Sequence, residues 1–316
     1  MLAQYLASEG KVREAIEKYG EVRSLRGERH VPSLSLAPLT LYWNARNAES
    51  IEWALENLSR ARAAHDIVSL LVGLPPFGMA LAAVGRYQEG AAAFAEARAI
   101  GERHRATSLL ARAVSMSTGF HLDLGDVDSA EDLASEAREL AQRSGWPPGD
   151  VSAAIDLLIC RLRRGDVDGA ERVLEESART AADIRGREPG SSGFHDWLWS
   201  IRLAWARAEV SAARNVADDV ERWTSEALSL AQGGRPKYEV AALVTRAQSR
   251  ERQNRTREAL VDLDRALIIA RGTGDPALIL RAAVPRCEID GNDELAAEVV
   301  AIEQRLQAAK GAGARA

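Results

Sequence analysis

The sequence predicts an all-α fold, a right-handed α-solenoid of about eight helical hairpins, and three observations carry that prediction. The hexapeptide Gly125-Asp126-Val127-Asp128-Ser129-Ala130 is nearly repeated forty residues later as Gly165-Asp166-Val167-Asp168-Gly169-Ala170. Self-similarity at a period of about 20–50 residues marks stacked supersecondary units that bury their faces against one another. Small residues recur at fixed distances from each such turn. The composition is 46% hydrophobic but only 5% aromatic, which suits helices that approach closely through small side chains.

Counted from each turn residue, a small residue follows at plus five, a core residue at plus nine and a small one at plus twelve. The instances are Gly10/Ala15/Tyr19/Val22, Glu49/Ala54/Leu58/Ala61, Gly85/Gly90/Phe94/Ala97, Gly125/Ala130/Ala134/Ala137, Gly165/Ala170/Leu174/Ser177, Asn215/Val220/Thr224/Ala227 and Asn254/Ala259/Leu263/Ala266, with a weaker eighth at Gly291/Ala296/Val300. Each is expected to be a hairpin in which Gly or Asn ends the first helix in the left-handed conformation and the next residues start the second. Asp128, Asp168 and Asp218 stand three before Glu131, Glu171 and Glu221. That is the spacing of a capping box, so these aspartates are read as helix caps worth about 1 kcal/mol each.

In chain order, about eight helical residues precede Gly10, where a full first helix needs roughly fourteen, so the array is expected to start within a repeat. Val31 to Pro38 reads as a connector, with Pro38 placed to open a helix. Leu74-Pro75-Pro76-Phe77 should delay or kink a first helix. Ser144 to Asp150 reads as a second connector, with Asp150 as its helix cap and Trp146 packing on a neighbouring helix end. Residues 186–193 form the one insertion, expected to be an exposed loop, and it accounts for a spacing of 50 among others of 36 to 40. The solenoid is assigned to residues 1–306 and a disordered tail to residues 307–316.

The second half of these repeats resembles the tetratricopeptide (TPR) family, whose pattern reads Gly-Asp-x-x-x-Ala-x-x-x-aromatic-x-x-Ala. The two Gly-Asp-Val-Asp blocks match it closely, over an array covering about residues 2–306, and Gly78 stands at the glycine of the first-helix signature. Trp, Leu-Gly and Tyr of that signature are otherwise poorly matched. The long, Ala- and Arg-rich repeats also resemble the C-terminal sensor segments of bacterial signalling ATPases, the MalT-like and LuxR-type large regulators and the cyclase-associated ATPases. That resemblance implies a non-catalytic sensor or protein-interaction segment, with a peptide, a protein domain or a small ligand as partner, and an attached ATPase or effector domain. The alternative is a free-standing TPR adaptor joining two proteins.

Enzyme chemistry finds no motif. There is no Gly-x-x-x-x-Gly-Lys-Ser/Thr loop, and Gly190-Ser191-Ser192-Gly193 lacks the final glycine and preceding strand of a nucleophile elbow. His30, His65, His104, His121 and His195 show no metal-binding spacing, so neither metal nor cofactor is expected; His195-Asp196 is the one pair singled out. Asp166 and Asp168 have nothing nearby to make a catalytic pair. Forty-six acids against 41 bases give a net charge of −5 and no phosphate-binding excess. Arg246, Arg250, Arg252, Arg255 and Arg257 cluster but are interleaved with Glu251 and Glu258, the mark of an ion-paired face. Cys160 and Cys287 read as buried thiols of a reducing, cytoplasmic compartment, with no signal peptide or membrane span.

What remains is the concave groove. The TPR resemblance places the first helices on the inner surface, at positions ten, six and two to three before each turn. Counting gives Trp43, Pro75, Met79, Ser115, Gly119, Leu122, Asp123, Ile155, Ile159, Leu162, Arg163, Trp205, Glu209, Val244, Gln248 and Glu251. Of these, Trp43, Met79, Asp123, Ile159, Arg163, Trp205, Glu209 and Gln248 are the candidate binding residues: an apolar stripe edged with charge, suited to a peptide or helix. The same residues would instead fill the interior if the array closed on itself. Trp197, Ile201 and Trp205 share a helix face, read as packing more than ligand contact. The lysine and asparagine positions of a chaperone-tail carboxylate clamp are not matched.

Overall fold

The computed structural model describes residues 2–187 and 196–313, and among these the chain is helical, without strands. Sixteen α-helices form eight consecutive hairpins. They are α1 Leu2–Ser8 with α2 Val12–Leu25, α3 Ala37–Trp43 with α4 Asn47–Ala63, α5 Ile67–Ala83 with α6 Tyr87–Arg103, and α7 Thr107–Asp123 with α8 Val127–Arg143. The second half pairs α9 Pro147–Arg163 with α10 Val167–Arg187, α11 Asp196–Ala213 with α12 Ala217–Ala231, α13 Pro236–Arg252 with α14 Thr256–Thr273, and α15 Pro276–Asp290 with α16 Asp293–Gly313. A short 3-10 turn over Pro32–Leu36 leads into α3, and Pro38 lies in that helix's first turn.

Each hairpin turns on one residue at positive φ: Gly10, Ala45, Gly85, Gly125, Gly165, Asn215, Asn254 and Gly291. At Gly125 the chain makes the two bonds of a Schellman ending, Gly125 N–H to Leu122 O at 3.2 Å and Asp126 N–H to His121 O at 2.9 Å. Seven turns fall where the glycine and asparagine positions predict them. The second does not: it lies at Ala45, four residues before Glu49, so its small and core positions are Ser50, Ala54 and Asn57. An alanine in the left-handed region costs about 1–2 kcal/mol, and nothing in its identity advertises the role.

Four further expectations are corrected. The predicted aspartates are not the caps: before α10 it is Asp166 that accepts the Gly169 N–H at 2.9 Å, the N-cap of α8 is Asp126 without a side-chain cap bond, and that of α12 is Val216, with Asp218 inside the first turn. Asp128 and Asp168 sit inside the first turn and instead pair with Arg164 and Arg214 of the following hairpin, which also reach Glu131 at 2.5 Å and Glu171 at 2.7 Å. Arg250 repeats the contact on Glu221 at 2.7 Å. A basic residue ending one first helix thus pairs with the acidic N-terminus of the previous second helix, where the helix dipole favours carboxylates. Pro75 and Pro76 do not delay a helix: α5 begins at Ile67, capped by Asp66 on the Ser69 N–H at 3.0 Å, and runs through both. Asp150 lies within α9, whose N-cap is Trp146, and accepts from Arg138 Nε at 2.9 Å. Finally, residues 307–313 are helical, with Ala309 packed on apolar neighbours and Lys310 paired to Asp126 at 3.6 Å; 314–316 lie outside the described residues. Gly186 and Arg187 belong to α10, and the rest of the expected loop, with Phe194 and His195, lies outside the described residues.

The solenoid closes on itself. Trp197 of α11 packs edge-on against Trp43 with ring centroids 5.8 Å apart, and its indole lies where a Cβ on Gly10 would meet it at 2.7 Å. Asn44 donates to Gly233 O at 3.1 Å and Asn47 to Thr273 O at 3.3 Å, across 189 and 226 residues of sequence. Ile302 and Leu306 of α16 are buried with Phe94 and Phe120 of α6 and α7. Three arginines of the cluster are ion-paired: Arg246 grips Asp262 at 2.8 and 2.7 Å, Arg250 bonds Glu221 and Asp262, and Arg255 grips Glu258 at 2.8 and 2.5 Å.

Candidate functional site

Closure leaves a half-open cavity of about 250 Å³. Its walls come from the first helices α3, α5, α7, α9, α11, α13 and α15, together with Trp146 and Arg235 at the N-caps of α9 and α13. The helical period explains the set: on α9, Ser152, Asp156, Ile159 and Arg163 lie on one stripe, as Leu198, Arg202 and Trp205 do on α11. The flanking faces are core, as in the fully buried Ile155, Leu158 and Ile201.

Six of the eight candidate residues meet here: Trp43, Met79, Asp123, Ile159, Arg163 and Trp205. Ser115, Gly119 and Leu122 join them. Glu209 lies one helical turn beyond Trp205, outside the lining, where it accepts the Trp205 indole N–H at 2.9 Å and a hydroxyl hydrogen bond from Thr245. Gln248 is exposed, because only the N-terminal end of α13 reaches the cavity. Pro75, Ile155 and Val244 are buried in the core, while Leu162 and Glu251 are half-buried away from the lining. Trp199 and Trp205 are both buried and both on the wall, so packing and lining are one role there.

The cavity's charge was not legible in the groove count. Arg112, Arg163, Arg202, Arg235, Lys237 and Arg281 line it against two carboxylates, Asp123 and Asp156. Counting ten back from Gly291 reaches Arg281, so the weak eighth repeat held one usable signal. Lys237 Nζ lies 2.6 Å from Asp123 Oδ2, joining α13 to α7. Burial opposes the ammonium, but Asp123, Tyr42 and Asp275 outweigh it and hold the Lys237 pKa above its ordinary value. Arg202 donates to Asp156 at 2.6 Å and to Ser152 Oγ at 2.6 Å. Burial nevertheless leaves the Asp156 carboxyl above its ordinary range.

Beside the cavity, Asp275 caps α15 through the Ala277 N–H at 3.0 Å. Burial and the nearby Asp123 raise its pKa to about 6, against the attraction of Lys237. A carboxyl raised in the folded state adds stability below its unfolded pKa near 4, and that stability is lost as pH rises through about 6. Asp275→Asn keeps a competent cap and removes the charge. The variant is expected to gain about 1–2 kcal/mol at pH 7 and to lose the acid-side gain between pH 4 and 7, measured by denaturant unfolding across that range.

No helix among the described residues is long and apolar enough to cross a membrane, and no cluster of metal-ligating side chains occurs among them. No protein-family model matches the chain, and no curated protein matches it. Among solved structures it is similar to a Rap protein complexed with competence and sporulation factor, with a TM-score of 0.69, 14% identity, and coverage of 86% of this chain and 73% of that one. It is also similar to the apo form of RapI, with a TM-score of 0.54, 13% identity, and coverage of 86% and 95%. At such identity the likeness is one of fold: an all-α, right-handed solenoid of tetratricopeptide-type hairpins.

Proposed function

We propose that the chain is a non-catalytic sensor segment of a bacterial transcriptional or signalling regulator, and that it takes a short peptide into the half-open cavity. The observation that carries this reading is the convergence of the inward faces of seven first helices on one space of about 250 Å³ with tryptophan, methionine and isoleucine in its walls. A binding site needs an apolar concavity with a few placed polar groups, and this is such a concavity. The solved Rap protein complexed with competence and sporulation factor supports the reading by fold.

A ligand there would touch α3 and α7 on one side and α11, α13 and α15 on the other. Its differential affinity for the closed array would shift the population toward closure, and an attached ATPase or effector domain would read that shift. The test is titration of the full chain with defined pools of synthetic pentapeptides, followed by tryptophan fluorescence and thermal unfolding. A binder at 100 times its Kd is expected to add about 2.7 kcal/mol of stability, and Trp205→Ala should remove the effect. A binder indifferent to both Trp205→Ala and Ile159→Glu places recognition elsewhere on the array.

A further inference from the structure

We infer that the cavity recognises a carboxylate on its ligand, held by Arg112, Arg163, Arg235 and Arg281; this rests on the cavity being the binding site. The chain as a whole carries a net charge of −5, yet its cavity lines six basic side chains against two acidic ones. Both acids are committed, Asp123 to Lys237 and Asp156 to Arg202. The other four cations form no ion pair with a carboxylate among the described residues, in a protein where Arg98, Arg138, Arg246 and Arg250 are each held by acids.

Arg235 is the sharpest case. It is 6% exposed, and its Nε and Nη1 are buried with no hydrogen-bond partner. Its guanidinium lies 4.9 Å from the Tyr238 ring centroid and 5.5 Å from that of Trp43. Arg112 likewise leaves a buried Nη2 without a partner, and burial pulls its pKa down to about 10. Arg281 sits 5.1 Å from the Trp205 ring centroid. Arg163 spends one donor on Leu122 O at 2.9 Å and stands close enough to Arg281 for the two charges to oppose each other.

Buried guanidinium donors without acceptors are costly and are normally satisfied. Arg112 and Arg235 carry such donors, the more accessible Arg163 and Arg281 line the same space, and Arg235 and Arg281 lie over aromatic faces; together they make a preorganised set of forks for an oxyanion. The tryptophan and isoleucine walls beside them favour an organic carboxylate over a bare inorganic anion. A peptide can supply it from its C-terminus or from an Asp or Glu side chain.

The test measures binding of N-acetylated pentapeptide pools to the full chain by fluorescence anisotropy: acidic with a free C-terminus, acidic with an amidated C-terminus, neutral with a free C-terminus, and neutral and amidated. At least one carboxylate-bearing pool should bind about 10- to 100-fold more tightly than the neutral amidated pool. Arg281→Gln and Arg163→Gln should each erase most of that preference. Loss on amidation assigns the C-terminal carboxylate, and retention assigns the side chain. Because Arg235→Gln risks the fold, the two more accessible arginines carry the test. Neutral amidated peptides that bind equally well, remain sensitive to Trp205→Ala and ignore both arginine substitutions overturn the inference while leaving the cavity reading intact. A preference for inorganic phosphate over every peptide pool also overturns it. Binding by no pool, or binding indifferent to Trp205→Ala, overturns the cavity reading itself.

Discussion

Replacing Trp197 by alanine loosens the junction between the two ends of the array. The side chain packs on Trp43, presses against the Gly10 turn and donates its indole N–H to Leu230 O at 3.2 Å. Its neighbours belong to α1–α3 on one side and α12 on the other, which lie far apart in sequence. Truncation leaves a void that backbone turns cannot readily collapse into, so a loss of about 2–4 kcal/mol is expected. Denaturant unfolding reads the loss, and hydrogen exchange should locate it, with protection falling in α1–α3 before it falls in α7–α10. Uniform loss across the chain would mean that Trp197 is an ordinary core residue and not part of a closure.

Replacing Lys237 by methionine acts on the same closure through charge. Lys237 is the cation between Asp123 of α7 and the capping carboxylate of Asp275, and its removal leaves those two acids facing each other with only Arg163 nearby as counter-charge to Asp123. Breaking one side of a buried pair costs about 3–5 kcal/mol, and some access to cavity water brings the expectation to about 2–4 kcal/mol. The double variant Lys237→Met with Asp123→Asn should recover much of that loss, because the uncompensated charge is then gone. A single variant as stable as the parent at pH 7 would show that the pair contributes nothing to holding the halves together.

How much of this was legible in the sequence follows from the distance over which each feature is specified. The hairpin register is local: Gly125, Gly165, Asn215 and Asn254 announce left-handed turns, and the inward face of each first helix follows by counting. Trp43, Met79, Asp123, Ile159, Arg163 and Trp205 were reachable that way. Ala45 was not, because alanine gives no sign of positive φ. Gln248 and Glu209 failed for a different reason: counting within a repeat cannot say which end of a helix faces the cavity after the superhelix has turned. The partners of the cations were beyond reach altogether. Lys237 meets Asp123 across 114 residues, and Arg235 meets Trp43 across nearly the whole array, so only closure decides which arginines are paired and which are left facing the cavity.

Closure is therefore the feature on which the cavity, its charge and the proposed ligand depend. Small-angle scattering of the full chain in dilute solution tests it most directly. A closed array should give a radius of gyration close to the compact-chain value for its length, about 20 Å, with a symmetric distance distribution. A radius several ångströms larger, with the long tail of an extended superhelix, would contradict the closed array and remove the site with it.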